Sequence, residues 1–238
     1  MQVKPYNTDQ SKKTEVEDMF DNIAPKYDLL NHVLSMKIDV LWRNTLVKWM
    51  NKDAPKLVLD VATGTGDLAI AVQKGTGADV VGLDLSQQML NVGIDKIKKI
   101  NLDQKISMQK GDAENLPFED NKFDAVSVAF GVRNFENLEK GLAELRRVVK
   151  ENSSVYILEF SKVEGFLAPF YMFYFKNILP QIGKLVSKDN RAYTYLPDSV
   201  NAFPFGEKMK QILLDTGYSK VEYKKLSLGI ATIYKATK

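Results

Sequence analysis

The middle of the chain alternates short runs of apolar, often β-branched residues with longer segments in which apolar residues recur every three or four positions. The short runs are typical of buried strands and the longer repeat of amphipathic helices. This alternation predicts βαβ units and a parallel sheet that is covered on both faces. The predicted strands are Leu57 to Asp60, Val80 to Asp84, Ile106 to Gln109, Phe123 to Val128 and Val155 to Glu159. The predicted helices between them are Leu68 to Lys74, Gln87 to Ile100 and Leu138 to Lys150.

Ahead of this core, the segment Glu15 to Met50 has helical periodicity that is broken at Ala24-Pro25. A proline at this place begins or kinks a helix and does not continue one. We therefore interpret residues 1–52 as an N-terminal helical cap and residues 53–238 as the main domain.

After the fifth strand, the pattern predicts an aromatic-rich segment from Phe166 to Leu185 and a loop from Ser187 to Pro204. A helix is predicted from Gly206 to Thr216. Two strands follow, Val221 to Leu226 and Ile230 to Ala236, and their short Gly-containing link predicts a hairpin that closes the edge of the sheet. The predicted class is α/β with a seven-stranded, mostly parallel, Rossmann-like sheet.

The amino-acid composition argues against several classes of function. The 238 residues are 45% hydrophobic, which is enough to build a core. The formal charge of +3 gives little support for a nucleic-acid partner, and we expect none. The chain has no cysteine and one histidine, so no disulfide, thiolate chemistry or metal site is expected. Because Met1 to Val16 lacks the apolar stretch of a signal peptide, we expect a cytoplasmic protein.

The sharpest local feature is a buried strand that runs through Asp60 into a turn containing Gly64 and Gly66, and then into a helix. Glycines at such a turn let a ligand approach the backbone closely. Asp84 ends the next strand, 20 positions after Gly64, where a carboxylate can accept both hydroxyls of an adenosine ribose. Together these residues indicate a nucleoside-type cofactor.

NAD and S-adenosylmethionine both suit this geometry, and the details favour the methyl donor. The carboxylate of Asp60 suits the ammonium of a methionine group but would repel a pyrophosphate. Asp112 follows the third strand, where it can accept a hydrogen bond from an adenine amine. The Tyr-x-x-x-Lys spacing of short-chain dehydrogenases occurs only at Tyr234 and Lys238, at the C-terminus, where catalysis is implausible.

Several segments resemble the ubiquinone/menaquinone biosynthesis C-methyltransferases, and the resemblance extends over nearly the whole chain. The matching segments are Tyr27 to Asn31 with Ser35 and Trp42, Phe130 to Asn134, Arg147 to Lys150, Glu159 to Ser161, and Phe203 with Pro204. The departures from the family's pattern are Leu30 for Met, Asp39 for His, and Glu151 to Ser153 for a Pro-Gly-Gly turn.

The resemblance implies a class I S-adenosylmethionine-dependent methyltransferase fold. It also implies methyl transfer to a ring carbon of a reduced polyprenyl quinone, most simply from demethylmenaquinol to menaquinol. The nearest alternative is a bifunctional enzyme that also methylates the ubiquinone precursor 2-polyprenyl-6-methoxy-1,4-benzoquinol. The positions implied to contact the cofactor are Thr65, Asp84, Asp112 and Ala113, with Gly64 and Gly66 forming the turn and Asp60 and Ala129 completing the site.

Arg133 is the best candidate to stabilise the phenolate form of the quinol, and through an ordered water it would relay the proton. Its structural alternative is an ion pair with Asp28 or Glu159. His32 is a candidate general base, or else a solvated or capping residue. Tyr27 and Asp28 either orient the substrate or lock the cap onto the core.

The implied substrate lid spans about 162–205. Tyr193 and Tyr195 line the ring pocket there, or are packing residues. The aromatic segment Ala168 to Phe175 would form a groove for an isoprenoid tail, or pack as a core helix. Peripheral contact with the cytoplasmic membrane leaflet is expected, and it would be supported by the basic residues Lys184, Lys188 and Arg191.

Two other classes of function stay open. An RNA methyltransferase or RNA-binding domain is suggested by the pI of about 8.7 and by lysine pairs such as Lys98 and Lys99. A non-catalytic scaffold would keep the fold but bind S-adenosylmethionine poorly. The intact Gly64, Gly66 and Asp84 argue against the scaffold. Whether the chain forms a homodimer is also left open.

Overall fold

The computed structural model describes residues 3–28, 35, 37–163 and 191–238. Within these residues, one sheet of seven strands carries helices on both faces. The strands are β1 (Leu57–Val61), β2 (Asp79–Asp84), β3 (Ile106–Lys110), β4 (Phe123–Ala129), β5 (Val149–Phe160), β6 (Lys220–Leu226) and β7 (Ala231–Thr237). The described helices are α1 (Lys12–Ile23), α2 (Ile38–Met50), α3 (Asp67–Thr76), α4 (Gln87–Lys99), α5 (Leu138–Val148), α6 (Arg191–Ala202) and α7 (Glu207–Asp215).

The strand order is β3-β2-β1-β4-β5-β7-β6. The first five strands in this order are parallel, and β7 runs antiparallel to both of its neighbours. Val58 of β1 pairs with Val80 of β2 on one side and with Ala125 of β4 on the other. The chain therefore proceeds in opposite directions across the sheet on either side of β1. In such sheets, ligands bind at this switch point, outside the carboxyl ends of the strands.

The core lies in two layers because successive strand residues point to opposite faces of the sheet. On β5, Ile157 packs with the cluster that contains residues of α5, while Tyr156 and Leu158 pack with the cluster that contains residues of α2 and α3. On β1, Leu59 packs with the first of these clusters and Val58 packs with the second. Strands buried on both faces explain the continuous apolar runs in the sequence.

All seven predicted strands are present, and the predicted class and the hairpin at the sheet edge are confirmed. The predicted helix Leu138 to Lys150 is wrong at its end. It stops at Val148, because Val149 pairs with Phe123 and begins β5.

The predicted loop from Ser187 to Pro204 is also wrong, since residues Arg191–Ala202 form α6 with Pro197 inside it. Burial of Tyr195 and Val200 against the rest of the protein opposes the helix-breaking effect of the proline. The aromatic segment Phe166 to Leu185 lies outside the described residues.

The break predicted at Ala24-Pro25 is confirmed, because α1 ends at Ile23 and a short 3-10 turn, Ala24–Lys26, follows it. The Nζ of Lys12 donates hydrogen bonds to the carbonyls of Arg133 and Phe135, both at 2.8 Å. These bonds hold α1 against the loop that follows β4. None of the helices in the described part of the chain is long and apolar enough to cross a membrane.

Candidate active site

Two adjacent pockets open at the carboxyl ends of the parallel strands. The larger measures about 720 Å³ and the smaller about 350 Å³, counting the space open to solvent. Both are lined by Tyr27, Ala62, Gly64, Ala129 and Phe130. Of the other predicted cofactor residues, Asp84, Asp112 and Ala113 line the larger pocket, and Asp60 and Thr65 line the smaller.

The glycine turn joins β1 to α3. Gly64 and Gly66 have φ angles of +56° and +80°, in the left-handed region that side chains disfavour. The backbone N–H of Gly64 donates to Oδ2 of Asp84 at 2.7 Å, and that of Ser86 donates to Oδ1 at 2.9 Å. Removal from water raises the pKa of Asp84 to about 6. The predicted turn and the predicted acid are thus in direct contact.

Asp60 is buried and lines the smaller pocket. Its carboxylate accepts hydrogen bonds from the hydroxyls of Thr63 and Ser127, both at 2.7 Å. Burial raises the pKa of Asp60 to about 6, although these hydrogen bonds and the positive charge of Arg43 act in the opposite direction. Sequence reasoning identified Asp60 but missed Ser127 and Arg43.

Asp112 and the adjacent Ala113 line the larger pocket. The Oδ1 of Asp112 accepts a hydrogen bond from the backbone N–H of Glu114 at 2.9 Å. Its Oδ2 lies 2.7 Å from Nζ of Lys13, which comes from α1 and also lines the pocket. Lys13 was not identified from the sequence, because no motif or spacing relates it to Asp112.

Asp28 forms part of a tether between the N-terminal segment and the glycine turn. It accepts a hydrogen bond from Oγ1 of Thr65 at 2.5 Å and lies 2.6 Å from Nζ of Lys96. Lys96 also pairs with Asp67, the first residue of α3, at 2.7 Å. These contacts correspond to the interpretation in which Asp28 locks the cap onto the core. A role toward the substrate stays a prediction.

Tyr27 lies over the glycine turn. Its Cε1 is 3.9 Å from the position that a Cβ on Gly64 would occupy, and its ring meets that of Phe20 edge to face with centroids 6.0 Å apart. Tyr27 lines both pockets, so it lies where a ligand that spans them would pass.

Arg133 follows β4, as expected, and pairs with the buried carboxylate of Glu159 at 2.8 Å. Its guanidinium lies 5.5 Å from the ring centroid of Phe160. Its Nε is buried and has no hydrogen-bond partner among the described residues. The neighbouring Gly131 and Asn134 line the larger pocket. Of the two predicted structural partners, Glu159 is the one that Arg133 contacts, and a catalytic role stays a prediction.

The remaining candidate site residues are either buried or outside the described part of the chain. Tyr195 is buried and donates a hydrogen bond to Oδ1 of Asn134 at 3.0 Å. His32 lies outside the described residues. The same holds for the segment Ala168 to Phe175, for Lys184 and Lys188, and for the side chains of Arg191 and Tyr193.

Known proteins match the chain over nearly its full length. It is 48% identical over 238 residues to a protein of Bacteroides fragilis named demethylmenaquinone methyltransferase, an alignment that covers 99% of this chain and 97% of the relative. It is 42% identical over 230 residues to a protein of Geotalea daltonii named ubiquinone/menaquinone biosynthesis C-methyltransferase, covering 95% and 97%.

Solved structures share the fold at low sequence identity. The [4+2]-cyclase SpnF matches with a TM-score of 0.71 and 16% identity, over 95% of this chain and 96% of that one. An S-adenosylmethionine-dependent methyltransferase of Thermotoga maritima matches with a TM-score of 0.63 and 16% identity, over 93% and 99%. The fold is that of class I S-adenosylmethionine-dependent methyltransferases, as predicted. Residues 8–238 match the model of one family, and the chain belongs to that family, the ubiE/COQ5 methyltransferase family.

Proposed function

We propose that this methyltransferase transfers a methyl group from S-adenosylmethionine to a ring carbon of demethylmenaquinol, which yields menaquinol. The observation that supports this substrate is the 48% identity, over almost the whole chain, to the Bacteroides fragilis protein named demethylmenaquinone methyltransferase. The second candidate is an enzyme that also methylates the benzoquinol precursor of ubiquinone. The name of the Geotalea daltonii relative supports it.

The residues of the two pockets fit S-adenosylmethionine. Asp84 and Asp112 offer carboxylate oxygens for the ribose and the adenine, and Asp60 offers a carboxylate for the methionyl ammonium. The turn at Gly64 leaves backbone exposed between them. When bound, the cofactor supplies an electrophilic methyl group on a positively charged sulfur.

The acceptor carbon must be made nucleophilic by the protein. A hydroquinone ring carbon gains electron density when the neighbouring phenolic proton leaves. Arg133 is the group that we assign to this step, because a guanidinium stabilises the developing oxyanion and its buried Nε–H has no acceptor among the described residues. Glu159 fixes the position of the guanidinium through the 2.8 Å pair.

The proton balance of the step is simple. The phenolic proton passes to an ordered water held by Arg133. The new carbon–carbon bond would form as the carbon–sulfur bond breaks, which would leave a neutral thioether. The ring would then lose the hydrogen on the methylated carbon to solvent, and the phenolate oxygen would take back a proton from the water, which restores the quinol. Tyr27, which lines both pockets, is the residue that we assign to orienting the ring.

A polyprenyl quinol resides in the bilayer, so we also propose that the enzyme works in peripheral contact with the cytoplasmic leaflet. Flotation with anionic vesicles tests this part. Enrichment of the protein in the vesicle fraction at low salt is expected, and no enrichment at any salt concentration would contradict it.

The substrate is tested by supplying S-adenosylmethionine with short-tailed demethylmenaquinol, or with the matching benzoquinol, and analysing the products by mass spectrometry. We expect a methylated naphthoquinol. A methylated benzoquinol in addition would establish the bifunctional candidate. No product from either quinol, with S-adenosylmethionine bound, would reject the proposal. Salt-sensitive RNA binding would then favour the RNA alternative.

A further inference from the structure

The smaller pocket holds charges of both signs. Among the described residues that line it, Arg43 of α2 is the one cation, and Asp60 and Asp67 are the anions. We propose that Arg43 binds the α-carboxylate of the methionyl group of S-adenosylmethionine, and that Asp39 is the residue that positions Arg43. This inference rests on the proposed cofactor and not on the identity of the quinol.

Most N–H donors of the Arg43 guanidinium have no hydrogen-bond acceptor among the described residues. Its side chain is 9% exposed, and its Nη1 donates a hydrogen bond to Oδ2 of Asp39. Its Nη2 lies 3.6 Å from Oδ2 of Asp67, which is an ion-pair contact beyond ordinary hydrogen-bond length. A guanidinium carries five N–H donors, and within the described residues only Asp39 accepts from this one. As far as the described residues go, the other donors are open to a ligand in the pocket.

The charges of the pocket match those of the ligand group. The methionyl end of S-adenosylmethionine carries an ammonium and a carboxylate on the same carbon. Asp60 and Arg43 line the same pocket, and Arg43 is close enough to oppose the rise in the pKa of Asp60. An ammonium beside Asp60 would thus place the carboxylate toward Arg43, and arginine pairs with carboxylates through two parallel hydrogen bonds.

Asp39 acts through Arg43. It precedes Arg43 by one helical turn on α2, is buried, and accepts a hydrogen bond from Oγ of Ser35 at 2.5 Å. The ring of Phe130 lies 6.0 Å from the guanidinium carbon on another side. The carboxylate of Asp39 thus holds the guanidinium from the preceding turn of the same helix. Asp39 is therefore a positioning residue and not a ligand.

The test is calorimetry with three ligands. The first is S-adenosylmethionine, the second is its decarboxylated form, which lacks only the carboxylate, and the third is methylthioadenosine, which lacks the amino-acid end. We expect the wild-type protein to prefer the first over the second by about 10- to 100-fold, the range of charge-assisted hydrogen bonds. Arg43→Met should bring this ratio close to one and leave methylthioadenosine binding unchanged.

Two further variants refine the result. Asp39→Asn should lower the same ratio by a smaller factor, because the guanidinium stays but loses its charged partner. As the matched control, Arg146→Met removes an arginine that donates to the carbonyl of Gly217 and lines neither of the two pockets. It should keep the wild-type ratio.

An unchanged ratio in Arg43→Met would overturn the inference. A variant that loses methylthioadenosine as strongly as S-adenosylmethionine would also overturn it, because Arg43 would then support the pocket as a whole. A wild-type protein that binds none of the three ligands would reject the cofactor together with this inference. If the wild-type protein and the variants show the expected affinity ratios but the wild-type protein does not methylate quinols, the inference about Arg43 stands. Only the proposed substrate is then rejected.

Discussion

The backbone N–H of Gly64 donates a hydrogen bond to the carboxylate of Asp84 at 2.7 Å, although 20 residues separate the two in the chain. This bond joins the turn after β1 to the end of β2. It holds the carboxylate in the lining of the larger pocket. A carboxylate that the protein's own hydrogen bonds fix in place loses little conformational entropy on binding a ligand.

The first prediction concerns Asp84. Asp84→Ala should weaken S-adenosylmethionine binding by about 1–3 kcal/mol, since the ribose hydroxyls lose their acceptor. Calorimetry measures the loss. Asp79→Ala is the matched control, because Asp79 starts the same strand and has an exposed side chain. Equal affinities for Asp84→Ala and the control would remove Asp84 from the site.

The second prediction concerns pH. Burial raises the pKa of both Asp60 and Asp84 from 3.8 to about 6. Both carboxyls therefore bind more protons in the folded state than in the unfolded state between these values. Their contribution to stability is greatest below pH 3.8 and is lost as the pH rises through about 6.

Cofactor binding should depend on pH in the opposite direction, because the charged carboxylates are the better acceptors. The affinity for S-adenosylmethionine should fall as the pH is lowered from about 7.5 to about 5.5. Asp84→Asn should flatten part of this dependence. A wild-type affinity that does not change over this range would contradict the assignment of both acids.

The third prediction concerns Arg133. Arg133→Lys keeps the charge but loses the planar guanidinium and its Nε–H. Turnover should fall by more than tenfold while the dissociation constant for S-adenosylmethionine changes by less than about twofold, because the lost interaction forms in the transition state. Steady-state kinetics and calorimetry separate the two effects. Normal turnover would make Arg133 a structural residue.

The fourth prediction concerns the partner of Arg133. Glu159 is fully buried, so Glu159→Ala leaves a buried guanidinium without its counter-charge. The free energy of unfolding should fall by about 3–5 kcal/mol. Asp79→Asn, which breaks the exposed pair with Lys105, should cost less than about 1 kcal/mol. Urea denaturation measures the free energy of unfolding of both variants. Equal losses would show that the buried pair stabilises the fold no more than the exposed pair does.

Much of the fold was predictable because the apolar pattern and the burial agree. Val58 and Leu59 are adjacent and both buried, as a parallel strand between two helical layers requires. The end of α5 was not predictable. Leu145 and Val148 continue a helical repeat into Val149, and only the pairing of Val149 with Phe123 makes it a strand residue. Likewise, Pro197 favoured a loop where tertiary packing supports a helix.

The site was predictable where a recognisable sequence pattern forms it. Gly64 lies in the turn after one strand, and Asp84 is the acid that ends the next strand. The cations of the site were not predictable. Lys13, Arg43 and Lys96 come from three different helices. No spacing in the sequence relates them to Asp112, Asp67 and Asp28, which they contact. Such pairs are set by the packing of the helices on the sheet.

Methyl transfer to a reduced naphthoquinone is tested most directly by following label from S-adenosylmethionine into demethylmenaquinone that has been chemically reduced. The oxidised quinone is run in parallel as the control. Labelled menaquinol from the reduced acceptor alone is the predicted result, because only the quinol has a phenolic proton to lose. Equal labelling of both forms would contradict the phenolate mechanism, and no labelling of either would contradict the proposed function itself.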